Sequence, residues 1–133
     1  MLTISWQQLP WLGTAVRLGM AAVFLYSAGE KLLFWQEGLT EVSRKRLPFP
    51  ALALACTIAV QLAGGLMVAL GWHASLGALA LAGFTLMATL VFHDFWRTQG
   101  REQRMQLTTF LEHIGMVAGL VWLAASPHGA LLS

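Results

Sequence analysis

The chain has little of what a water-soluble domain is built from. Only 11% of its 133 residues are charged, where soluble domains carry about 25%, and 57% are hydrophobic. A surface that wets the whole molecule cannot be assembled from that stock. Cysteine is nearly absent: Cys56 is alone, which excludes an internal disulfide and a Cys-x-x-Cys redox pair within the chain. A lone buried thiol in an apolar run reads as a small packing residue rather than a nucleophile. There is no Gly-rich nucleotide fingerprint and no pairing of histidines across the bilayer for haem, so the chain brings no electron carrier of its own. Long polar linkers, low-complexity tracts and internal repeats are missing too, so residues 1–133 read as one domain. No Lys or Arg precedes Arg17, so the first apolar run lacks the basic start of a secretory signal and is expected to be retained.

What is present is hydrophobic length. A spanning helix needs roughly 20 largely apolar residues, and four stretches meet or nearly meet that: 11–33, 51–72, 74–96 and 107–126. The expected fold is therefore all-α and integral to the membrane, a four-transmembrane-helix bundle whose sites lie between helices. Pro48 and Pro50 precede the second span, where proline is tolerated. Glu112 and His113 shorten the apolar part of the fourth, which reads as the weakest span. The longest irregular stretch is expected over 34–49.

The charges are one-sided. Lys31, Arg44, Lys45 and Arg46 follow the first span and Arg97, Arg101 and Arg104 follow the third, while the second loop and both tails carry no Lys or Arg. Cytoplasmic loops are the ones enriched in these residues, so both termini are expected on the outer, periplasmic side. The same placement makes the eight basic residues orientation signals rather than a nucleic-acid surface. Tryptophans fit the frame: Trp35 and Trp96 fall at the inner interface, Trp11, Trp72 and Trp122 near the outer one.

An ionisable group at mid-bilayer costs at least about 2.5 kcal/mol on insertion scales, which makes each one a candidate site. Arg17 shares a helical face with Gly13, Met20, Phe24, Ala28 and Lys31, and that face should look inward. Arg17 either snorkels to the outer headgroups or holds an anion or carbonyl. Gln61, flanked by Thr57, Gly64 and Gly65, either locks two helices together or contacts a ligand. His93 lies on one face with Thr85 and Thr89, with Asp94 next, and Glu112 and His113 come at similar depth on the fourth span. Two imidazoles beside carboxylates can pass protons or hold a quinone oxygen. Alternatively they serve helix ends, where His93 and Glu112 suit the dipole and Asp94 does not. No metal site is expected: no H-x-x-x-H or E-x-x-H pair shares a helix, and Met20, Met67, Met87 and Met116 are scattered as packing residues.

Four segments carry a family likeness: RLGMAAVFLYSAGEKL from Arg17 to Leu32, QLAGGLMVALG from Gln61, LMATLVFHDFW from Leu86 to Trp96, and FLEHIGMVAGL from Phe110. Together, spread along the whole chain, they resemble the DoxX-like family of small four-helix inner-membrane proteins. The specific part is the Arg, Gly and Lys spacing of the first with the terminal His and Trp of the third. The resemblance implies a four-helix bundle in the inner membrane, and some relatives form the membrane part of thiosulfate:quinone oxidoreductases. It points to Arg17, Gly29, Lys31, Gln61, Gly65, His93 and Trp96; members often have Glu at the place of Gln61, which weakens a proton-handling role there.

Two functions follow as expectations. In one, the protein is the membrane component of a quinone-linked redox system, with the headgroup admitted near Arg17, Gln61, His93 and His113, with Lys31, Asp94 and Glu112 as further candidates, and with electrons supplied by a protein partner. In the other it is a non-catalytic anchor whose basic loops, Arg44 to Arg46 foremost, hold a cytoplasmic partner or anionic lipid. A solute transporter fits less well, since no inverted repeat or broken helix is visible, although a homo-oligomer could build a path. The orientation is testable directly: a reporter fused to either terminus is expected outside the cytoplasm, and a cytoplasmic signal from it would overturn the topology read from Lys and Arg.

Overall fold

The computed structural model describes residues 10–126, and everything structural below concerns those residues. Five α-helices and one 3-10 turn account for most of them: α1 (Pro10–Leu33), α2 (Trp35–Arg44), α3 (Pro50–Leu70), α4 (Ala74–Phe92), the turn Phe95–Arg97, and α5 (Gly100–Ala125). Four helices are long and apolar enough to cross a membrane, and the chain is an all-helical, multi-pass membrane protein. Their outward faces are hydrocarbon-like: Leu33, Tyr26, Leu70 and Leu52 are each more than 60% exposed, which water would not tolerate in such density.

The termini of the helices follow local chemistry. Pro50 takes the first-turn position of α3, where its missing N–H is no loss. Gly71 ends α3 in the left-handed conformation, φ 69°, and the N–H of Trp72 returns to the carbonyl of Met67 at 3.0 Å, closing the helix end. Only Gly71, Trp72 and His73 separate α3 from α4, so the two run antiparallel in close contact.

Four expectations need correcting. Residues 34–49 are not irregular: ten of them form α2, broken from α1 at the single residue Phe34. Trp35, Leu39 and Val42 repeat at helical spacing on one face and pack with Ala28, Leu54 and Ile58, while Gln36, Glu37, Thr40 and Arg44 face outward, the pattern of a helix lying across the bundle end. The fourth long helix starts at Gly100 rather than Leu107, and the first rather than the fourth has the lowest mean hydropathy, 1.3 against 1.5. Cys56 is exposed rather than buried.

The long helices pack in chain order, α1 on α3, α3 on α4 and α4 on α5, while α1 and α5 barely touch. One half of the bundle is closed by Ala21 and Phe24 of α1, Val68 of α3, Leu81 of α4, and Leu120 and Leu123 of α5. The α3–α4 contact is limited by backbone. A Cβ built on Gly77 would lie 2.8 Å from Cβ of Met67 and 3.1 Å from the carbonyl of Gly64, and one on Gly64 would lie 2.8 Å from Cγ of Leu81. Gly65 serves the α1–α3 contact in the same way, 2.9 Å from Leu25. Gly29, by contrast, has open space around it. Gly77→Ala is therefore expected to destabilise the bundle by about 1–3 kcal/mol, and Gly29→Ala by nothing measurable; thermal unfolding of both in detergent, with equal midpoints, would refute the close approach.

Candidate functional site

All basic residues except Arg17, and all acidic residues except Glu112, fall at the end of the bundle where α1 meets α2 and α4 meets α5. In that half α1 turns Ser27 and Lys31 inward beside Ala28, α1 and α5 touch little, and a cleft of about 520 Å³ opens. Its walls are apolar, from residues such as Phe24, Val60, Phe84 and Met116. A handful of polar groups converge on it from every helix: Ser27 and Lys31 of α1, Glu41 of α2, Thr57 and Gln61 of α3, Thr85 of α4 and His93 at its end, and His113 of α5.

These groups are organised as two hydrogen-bonded sets. On one wall the Lys31 ammonium donates to Ser27 Oγ at 2.6 Å, and the Gln61 amide Nε2 donates to the same oxygen at 3.3 Å. On the other, the Thr89 hydroxyl donates to the Thr85 carbonyl at 2.6 Å and its oxygen lies 3.1 Å from Nδ1 of His113. His93 Nδ1 is 2.9 Å from Gln106 Oε1, and the two imidazoles meet edge to face with centroids 4.9 Å apart. Two polar atoms are left over. Gln61 Oε1 and Thr85 Oγ1 are buried with no hydrogen-bond partner, although their residues are only 6% and 5% exposed. Buried polar atoms are nearly always paired, so an apolar cavity holding both is shaped for a molecule with an apolar body and a polar head.

The residues singled out from sequence are divided by this geometry. Gln61, His93, His113 and Lys31 line one cleft. Arg17 does not: it stands ten residues before Ser27 on α1, about 15 Å along the axis, half-buried, with its Nε buried and unpartnered. Its face does look inward, since Gly13, Phe24 and Ala28 are all buried. Glu112 lies on the opposite, exposed side of α5, in a shallow groove with Arg101 and Arg104. Asp94 is bound by Lys45 Nζ at 3.0 Å, which explains how a carboxylate stands at a helix C-terminus and ties the end of α2 to the end of α4. Sequence reading missed Ser27, Gln106 and the pairing of Thr89. Helical spacing held the signal: Ser27 is one turn before Lys31, and Gln106 lies two turns before His113 on the same face of α5.

The fold and cleft define a polytopic α-helical membrane protein with an apolar cleft on which a few polar groups converge. The DoxX family model matches residues 12–94, and the chain belongs to that family. The match covers α1 to α4 and ends before α5, so Gln61 and His93 lie within it and His113 outside. No curated protein and no solved structure matches the chain.

The Lys45–Asp94 pair is partly exposed, with side chains 29% and 14% accessible, so Asp94→Asn is expected to cost no more than about 1 kcal/mol. Its visible effect is local: faster amide hydrogen exchange over Trp35–Arg44 with the α3–α4 amides unchanged. Unaltered exchange in α2 would show that the pair does not hold that helix.

Proposed function

We propose that this DoxX family protein is the inner-membrane component of a quinone-linked redox system, binding the quinone headgroup in the cleft between α1, α3, α4 and α5, with a protein partner supplying the electrons. The observation that carries the reading is the pair of buried, unsatisfied groups, Gln61 Oε1 and Thr85 Oγ1, beside two histidines in a largely apolar cavity. A quinone needs an apolar passage for its tail and one or two polar contacts for its oxygens, and it enters sideways from lipid. The gap between α1 and α5 offers such a route. Reduction of a quinone consumes two electrons and two protons; the histidines and Lys31, close to the charged end of the bundle, are suited to pass the protons. The chain's lack of a redox centre leaves the electrons to a partner, which we place on the charged face, taken as cytoplasmic.

The anchor reading keeps support from that same face, where Arg44, Arg46, Arg97, Arg101 and Arg104 are exposed and available to anionic lipid or an acidic protein. The readings part on what the cleft holds. Organic extracts of the gently purified protein, examined by mass spectrometry, are expected to contain quinone plus hydroquinone near one per chain, the hydroquinone bound falling at least about tenfold in Gln61→Leu and His113→Leu as a buried acceptor for its O–H groups is removed. Phospholipid and a co-purifying protein without quinone, unchanged in those variants, would favour the anchor.

A further inference from the structure

Resting on that reading, the hydrogen-bond directions in the cleft say which redox form it fits. A hydroxyl has one proton, and that of Thr89 is committed to the Thr85 carbonyl at 2.6 Å. Toward His113 Nδ1, 3.1 Å away, the Thr89 oxygen can only accept, so Nδ1 carries the proton and Nε2 of the neutral ring is a bare acceptor. His93 is fixed alike: its Nδ1 faces a carbonyl oxygen, Gln106 Oε1 at 2.9 Å, which again leaves Nε2 as the acceptor. Neither Nε2 has a protein hydrogen bond among the described residues. Gln61 uses one amide N–H on Ser27, and its Oε1 is the orphan.

Three acceptors from three parts of the bundle thus meet in one cleft, whose donors, the Lys31 ammonium and the Thr85 hydroxyl, can serve an oxygen of either redox form. We infer that the cleft selects a ligand that donates hydrogen bonds, and so binds the hydroquinone, with its two O–H groups, more tightly than the quinone. A quinone oxygen is an acceptor only; beside Gln61 Oε1 or an imidazole lone pair it leaves both groups unmet. A hydroquinone hydroxyl satisfies one acceptor and its oxygen still takes the hydrogen of the unpartnered Thr85 hydroxyl. One buried acceptor satisfied in one redox form and orphaned in the other corresponds to a preference of about tenfold or more. For a two-electron couple, tenfold tighter binding of the reduced form raises the potential of the bound quinone by about 30 mV, making it the better acceptor for electrons from a partner. Thr89 is the positioning residue: it does not touch the ligand but sets the tautomer of His113.

The test uses the full chain in lipid nanodiscs under anaerobic conditions, titrated with a decyl-tailed benzoquinone and, separately, its chemically reduced hydroquinone, with tryptophan fluorescence or calorimetry as the readout. The expected result is hydroquinone bound about tenfold more tightly or better, the ratio falling in Thr89→Val, which frees one of the three acceptors to change tautomer, and restored in Thr89→Ser. Equal affinities or a preference for the quinone in the wild-type protein would overturn the inference and leave the quinone site standing; binding of neither form would overturn both. Thr89→Val weakening the two forms equally would remove Thr89 from its assigned role, since a merely structural part lowers both affinities and not their ratio.

Discussion

Hydrocarbon returns no hydrogen bond to an N–H or a lone pair, so every polar group carried into the bilayer must find its partner inside the protein. Most of the hydroxyls here obey by bonding back one turn: Thr57 to the carbonyl of Ala53, Thr89 to Thr85, Thr108 to Arg104 and Thr109 to Met105. Against that background the exceptions acquire meaning. Of the four buried side-chain atoms without a partner among the described residues, Gln61 Oε1 and Thr85 Oγ1 belong to residues lining the same cleft. Arg17 Nε and Ser75 Oγ lie outside it.

The two halves of the bundle answer this constraint differently. Where α1 and α5 offer Phe24, Met20, Leu120 and Leu123, the gap closes by ordinary apolar packing. Toward the charged end the same helices offer Ser27, Lys31 and His113, side chains that bond to particular partners and do not fill the space between them. A cavity is the result, and its polarity and its openness have one cause. α2 lies over this end, with Val42 buried against α3 and Glu41 reaching the cleft.

Spans and fold class were legible because they depend on local composition: twenty apolar residues announce a helix wherever they pack. The inward face of α1 was legible from the spacing of Gly13, Phe24 and Ala28. α2 was not, because Trp35, Leu39 and Val42 are few, and the charges between them resemble a loop. The site was half legible. Gln61, Lys31 and both histidines are conspicuous as polar residues in apolar runs, but which of them meet is decided by helix rotation and by the order in which helices pack, neither of which composition encodes. Arg17 is as conspicuous as His113 and ends up a different distance along the bundle. Thr89 and Gln106 carry no charge and stand out from nothing, yet they orient the two imidazoles.

The close approach at Gly64 and Gly77 has a mechanical side. With the two backbones already at contact distance, α3 and α4 form a stiff spine that can neither draw nearer nor shear without collision of main-chain atoms. Each flanking helix packs on one of these two, α1 on α3 and α5 on α4, with little bridging the space between them. Widening the cleft for a bulkier headgroup therefore costs least between α1 and α5, where few contacts have to be broken, and α2, joined to α1 through the single residue Phe34, borders that seam.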